Sequence, residues 1–202
     1  GEVVFVDEAH ELPKIHQTAL YLALDKRRIV VRGGKGFYSI PLANFTLLLG
    51  TTDEYCQLQP RRDRMRLVLR FDFYGIEELT KIVVYRTKAL QWAIDEFLPR
   101  QIAQRARGTP RLALRLLQAC WRVCRAEGKK AITSDHLRKA CALEHVDDMG
   151  LGPVEQKYLQ TVAAGASRLN VLASLLGLPT RTLSSVTEPF LLRAGLVLKD
   201  DL

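Results

Sequence analysis

No run of 18 apolar residues occurs in this 202-residue chain, and charged residues make up 26% of it, which excludes a membrane-spanning helix. Cysteine is scarce: Cys56, Cys120, Cys124 and Cys141 include no Cys-x-x-Cys pair. A chain of this length needs no disulfide frame, so reduced thiols in a soluble cytoplasmic protein are expected. The first residues show no basic-then-apolar leader with a small-residue cleavage site, and nothing there argues for secretion. Internal repeats and low-complexity stretches are also missing. Cys120 and Cys124 lie four apart among Leu116, Leu117, Trp121 and Val123, with no His or Cys nearby to complete a tetrahedral set; core packing is expected of them, not metal binding. The 48% apolar fraction is enough to bury a real core, so disorder is excluded as the main state.

Charge is unevenly spread. The formal net charge is +8, yet residues 1–72 carry 11 Lys and Arg against 9 Asp and Glu, residues 73–146 carry 14 against 7, and residues 147–202 carry 5 against 6. The basic excess sits in the middle, where it raises affinity for any polyanion without naming one.

The run Val3-Val4-Phe5-Val6 followed by Asp7-Glu8-Ala9-His10 reads as a buried parallel strand that ends in carboxylates. A helix is expected after Pro13, with Ile15, Ala19, Leu20, Leu22, Ala23 and Leu24 as its apolar positions. Glycines between Ile29-Val30-Val31 and Phe37-Tyr38-Ser39-Ile40 predict a hairpin over 29–40. A second central strand, Phe45 to Gly50, ends in Thr51-Thr52, again placing polar groups where open α/β sheets bind their ligands. From residue 76 the pattern turns helical, over roughly 76–92, 94–106, 110–127 and 133–144. The tail reads as three short helices around a Leu-Gly-Leu-Pro turn at 176–179, an order that suits a winged-helix unit. The expected fold is thus α/β plus all-α: part of a nucleotide-binding sheet in 1–72, a four-helix lid in 73–147 and a winged-helix domain in 148–202.

Adjacent carboxylates at a strand end suit hydrolysis of a nucleoside triphosphate, one ordering Mg²⁺ through its water shell and the other polarising the attacking water. Thr51 or Thr52 on the neighbouring strand could position that water. Arg64 could reach a phosphate across a subunit boundary, and Arg111, in the first turn of a helix, could face the same phosphate.

Five segments in this order resemble those of AAA+ motors, and among them the RuvB family, which drives branch migration of Holliday junctions. Val4 to His10 resembles its Walker B strand, Phe45 to Thr52 its sensor 1 strand, and Pro60 to Arg64 its arginine-finger segment. Arg107-Gly108-Thr109-Pro110-Arg111 resembles its sensor 2 signature, and Glu188-Pro189-Phe190-Leu191 its winged-helix domain. The resemblance runs over essentially the whole chain. It implies that Asp7 serves Mg²⁺ through water, Glu8 the catalytic water, Thr52 with Thr51 sensor 1, Arg64 the trans finger and Arg111 sensor 2. It further implies ATP and Mg²⁺ as cofactors of the complete protein, a homo-hexamer acting on duplex DNA at four-way junctions, and a RuvA-like partner docked on the hairpin through Ile29, Val31, Tyr38 and Ile40.

The chain departs from that family in three ways. It contains no Gly-x-x-x-x-Gly-Lys-Ser/Thr loop; Arg32-Gly33-Gly34-Lys35-Gly36 has the wrong spacing and sits in the hairpin. A portion lacking about half of the nucleotide-binding domain is therefore expected, without ATPase competence of its own. The family carries a basic wing beyond the last strand, whereas this sequence runs only to Leu198-Lys199-Asp200-Asp201-Leu202; a wing absent or cut short and only weak DNA binding by the tail are expected, with Arg168, Arg181, Arg193 and Lys199 as its candidate contacts. Arg61 and Met65 stand where the family carries an apolar and an aromatic residue. Two other readings compete: a non-catalytic winged-helix module binding DNA or protein, and a catalytically dead scaffold that keeps partner docking. Asp7-Glu8-Ala9-His10 also spells a DEAH box, but the second motor motif of those helicases is missing.

Overall fold

A computed structural model describes residues 1–34, 36–52, 65–166 and 168–199. It divides into two compact units, Gly1–Arg70 and Phe71–Leu202. No helix among the described residues is long and apolar enough to cross a membrane.

In the first unit, β1 (Glu2–Val6) pairs in parallel with β4 (Phe45–Leu49), Glu2 opposite Phe45 and Val6 opposite Leu49. A parallel pair needs a long crossover, here carried by α1 (Lys14–Lys26) and an antiparallel hairpin of β2 (Arg28–Gly33) and β3 (Gly36–Pro41). Both layers stay thinly covered: Val3, Val4, Phe5 and Leu48 on the parallel pair and Val31, Phe37, Tyr38 and Ile40 on the hairpin are exposed.

The second unit holds two cores. Around the first pack α2 (Ile76–Ala89), α3 (Leu98–Arg105), α4 (Pro110–Ala126) and α5 (Ser134–Glu144). Leu79 and Val83, one turn apart on α2, meet Leu98 and Ile102 of α3 and Leu117, Cys120 and Cys124 of α4. Each fully buried leucine or isoleucine contributes on the order of 2 kcal/mol. Trp92 stacks on Trp121 at 4.5 Å between ring centroids. Cys120, Cys124 and Cys141 are buried and free, and burial pushes the Cys120 thiol up to about 12, leaving it inert. Cys56 lies outside the described residues.

Two helix boundaries differ from the sequence pattern for identifiable reasons. The helix expected over 94–106 begins only at Leu98, because Ala93–Ile94 pairs in parallel with Ala131–Ile132 as a short ladder of β5 and β6. The Asp95 N–H then donates to the Ile132 carbonyl. The helix expected to reach residue 92 stops at Ala89, where Gln91 turns to φ 54° and the Trp92 N–H returns to the Thr87 carbonyl.

Around the second core pack α6 (Pro153–Ala163), α7 (Leu169–Leu176) and a continuous helical stretch of α8 (Thr180–Thr182), a π-helical turn (Leu183–Thr187) and α9 (Glu188–Arg193). Leu151, Tyr158, Leu172, Leu183 and Leu191 fill it. Glu188 is buried there, accepting from the Tyr158 hydroxyl at 2.8 Å and lying 2.6 Å from Lys199 Nζ. Among the described residues this module has no strand.

Gly150, at the passage between the two cores, has φ +79°, and a Cβ added there would meet the Arg105 carbonyl oxygen at 2.2 Å. Gly177 has φ +67° with open space around it. Gly177→Ala should therefore cost only about 1 kcal/mol of backbone strain, whereas Gly150→Ala should cost at least twice that. Equilibrium urea unfolding checks this, and equal losses at the two positions would contradict it.

Candidate functional site

The ladder between β1 and β4 brings two predicted groups of side chains to one end of one sheet. The Gly50 N–H donates to the Val6 carbonyl at 2.9 Å and the Ala9 N–H to the Gly50 carbonyl at 2.8 Å, so both strands leave the sheet together. Asp7 Oδ1 accepts the Glu8 N–H at 3.0 Å, and Glu8 takes the left-handed conformation with φ 45°. That turn sends the Glu8 carboxylate towards Thr52, whose hydroxyl donates to Glu8 Oε2 at 3.3 Å. His10, to which the sequence pattern assigns no role of its own, joins this corner. His10 Nδ1 lies 3.0 Å from Thr51 Oγ1 and 3.4 Å from Glu8 Oε2, and its Nε2 lies 3.5 Å from Glu11. Its position two residues after the acidic pair was the available signal. A side chain at Gly50 would crowd Asp7 Oδ1 at 3.1 Å and the Phe5 ring.

Asp7, Glu8, Thr51 and Thr52 thus share one corner. Arg64, Arg61 and the rest of 53–64 lie outside the described residues. Arg111 belongs to the second unit, exposed at the second position of α4 after Pro110. Among the described residues no group of three or more His, Cys, Asp and Glu side chains is placed to cage a metal. Mg²⁺ held through water by one carboxylate and by phosphate oxygens needs no such cage, so the donor set at Asp7 is compatible with that ion.

On the hairpin, Ile29 stands opposite Ile40 and Val31 opposite Tyr38. Directly paired residues two apart along each strand project to the same face. The four docking candidates therefore form one apolar patch. Arg28 Nε donates to Ser39 Oγ at 2.7 Å on the opposite face.

The segment that carries Arg111 is fastened to the tail module. Arg107, at φ 53°, sends its side chain across the passage. Its Nε donates to the Gly150 carbonyl at 2.6 Å, one terminal nitrogen donates to Glu155 Oε1 at 2.8 Å, and the guanidinium lies over the Phe190 ring at 4.6 Å. The Arg107 carbonyl in turn accepts from Arg193 at 3.1 Å, and the Arg193 guanidinium covers the Phe73 ring at 3.3 Å. Arg105 pairs with Asp148 beside it. Arg193, expected as a DNA contact, is thus engaged in closing this joint, and Lys199 is paired with Glu188. Arg168 and Arg181 are exposed on the tail.

A four-helix module followed by a helical, winged-helix-like tail defines the lid and winged-helix portion of an AAA+ protein. Models of the RuvB AAA lid domain and the RuvB C-terminal winged helix domain match residues 74–147 and 148–201, and the chain belongs to the RuvB family. It is 35% identical over 205 residues to the Holliday junction branch migration complex subunit RuvB of Limosilactobacillus reuteri, covering 98% of this chain and 61% of that protein. The corresponding subunit of Thermotoga maritima is 34% identical over 203 residues, with 96% and 61% covered. The solved structure of the Thermotoga maritima RuvB Holliday junction branch migration motor superposes with a TM-score of 0.80 at 32% identity, covering 100% of this chain and 65% of that one. The chain therefore spans about three fifths of the length of these curated relatives.

Burial pushes the Glu155 carboxyl up, but the hydrogen bond from Arg107 and backbone N–H groups outweigh it and hold it below its ordinary 4.5. Its ion pair thus contributes stability above the ordinary value and loses it as pH falls through the lowered one. Both partners are less than a fifth exposed, so Arg107→Ala should cost roughly 2–4 kcal/mol at neutral pH. The variant's stability should also fall less steeply than the parent's as acid is added below about pH 5. Urea unfolding across that range checks both; parallel pH curves for parent and variant would contradict the assignment.

Proposed function

We propose that this chain is a portion of an ATP-dependent, hexameric DNA motor that drives Holliday junction branch migration. The observation that carries the reading is the parallel, in-register pairing of β1 with β4, which sets Asp7 and Glu8 beside Thr51 and Thr52 at one sheet end. Asp7 would hold Mg²⁺ through its water shell, and that ion would neutralise phosphate charge when bound. Glu8 would accept a proton from the attacking water. Thr52, donating to Glu8, and His10, bridging Glu8 and Thr51, would fix the orientation of that carboxylate. Arg64 of an adjoining protomer and Arg111 would supply positive charge to the terminal phosphate. The apolar face of Ile29, Val31, Tyr38 and Ile40 would dock a RuvA-like junction-binding partner. The tail would add weak duplex contacts through Arg168 and Arg181, with Arg193 and Lys199 able to contribute only beyond their internal pairings.

Lacking a phosphate loop, the 202-residue chain should hydrolyse ATP no faster than its Glu8→Gln variant in a coupled assay. Turnover clearly above that control would show that the triphosphate is held without the missing motif. Docking is tested separately by calorimetric titration with a RuvA-like protein. Binding should be abolished by Val31→Asp with Tyr38→Asp, while circular dichroism stays that of the parent. Failure of the parent to bind, or binding that survives both changes, would count against the motor reading.

A further inference from the structure

Helix α4 presents a charge pattern that the reading above does not use. Its 17 residues contain four arginines, Arg111, Arg115, Arg122 and Arg125, and neither lysine nor any acid. At about 100° per residue these four fall within roughly 80° of one another around the helix axis and extend over roughly 21 Å. All four are exposed, and the opposite face, Ala113, Leu116, Leu117, Cys120 and Cys124, is buried in the core.

A merely solvated face mixes its signs, as the neighbouring α5 does. There Asp135 pairs with Arg138 and Lys139, and Lys139 also pairs with Glu127. On α4 a single carboxylate, Glu144, serves both Arg115 at 3.2 Å and Arg122 at 3.6 Å. Arg125 rests over the Trp121 ring at 5.5 Å, which orients its guanidinium without neutralising it. The row therefore keeps a net charge of about three, with its first arginine at the positive end of the helix dipole, where a cation is unfavourable unless an anion is present. Exclusive use of arginine gives planar, forked donors suited to phosphate oxygens.

We infer that the exposed face of α4, through Arg115, Arg122 and Arg125, is a contact surface for the phosphate backbone of duplex DNA, separate from the tail. The choice of duplex DNA among polyanions rests on the motor reading; the surface itself rests on the row of like charges. It also places the contact where the chain concentrates its basic excess, the tail being slightly acidic.

The test uses this chain and a fluorescently labelled linear duplex, with anisotropy titrations over a range of salt. Replacing Arg115, Arg122 and Arg125 together by Gln should lower the slope of log affinity against log salt by roughly two to three, since each lost phosphate contact removes about 0.9. The matching triple Lys variant should retain the slope. Glu144→Gln, which removes the counter-charge, should tighten binding, an outcome that loss of packing cannot produce. Unchanged slope and affinity in the Gln triple overturn the inference, as does unchanged or weakened binding in Glu144→Gln. Loss of self-association in sedimentation with DNA binding intact also overturns it, assigning the face to an acidic surface of a second copy. The hairpin titration with a RuvA-like protein does not involve α4, so failure there sinks the motor reading and leaves this surface standing.

Discussion

The register of two short strands governs the chemistry available to this protein. With Val6 opposite Leu49, the first residues beyond each strand emerge side by side, and the Gly50 carbonyl takes the Ala9 N–H. Parallel pairing is directional, and a slip of one residue would turn the side chains of one strand to the other face of the sheet and break the meeting of Thr52 with Glu8. The left-handed turn at Glu8 then matters because the preceding ladder has fixed where the turn begins. Local strain of this kind survives only where surroundings over-determine it, and here the surroundings are two backbone hydrogen bonds and the carboxylate of Asp7.

The two units solve the burial problem differently. The second encloses its apolar residues in two cores. The first has a two-stranded parallel ladder with Val3 65% and Phe5 63% exposed, and parallel sheets are stable when both faces are covered. Apolar side chains also stand exposed on both faces of the hairpin, Val31, Tyr38 and Ile40 on one and Val30 and Phe37 on the other.

Much of this was legible in the sequence, and the failures share a cause. The apolar runs before Asp7 and Thr51 announced strands, and the periodicity from residue 76 announced helices, because burial imposes those patterns locally. Helix α3 starts at Leu98, later than the periodicity predicts, because Ala93 and Ile94 are captured by Ala131 and Ile132, a pairing invisible in either dipeptide. Arg193 reads as a candidate phosphate ligand in sequence, yet it donates to the carbonyl of a residue 86 positions away. Arg107 likewise reads as part of a signature, and its service to Gly150, Glu155 and Phe190 emerges only in three dimensions. His10 reads in sequence as part of a strand ending; its link between Glu8 and Thr51 depends on where β4 ends. Charge and hydropathy report which residues seek cover or water, and they do not report which distant carbonyl will satisfy a guanidinium.

The stacked indoles give the molecule a built-in optical label. Its only two tryptophans, Trp92 and Trp121, both sit against the core of the four-helix module. Emission excited at the red edge of the indole band, where tyrosine does not absorb, consequently originates in that one module. Close, nearly parallel rings couple their transitions, so melting of this module alone ends that coupling and shifts the emission even while the remainder of the chain keeps its shape.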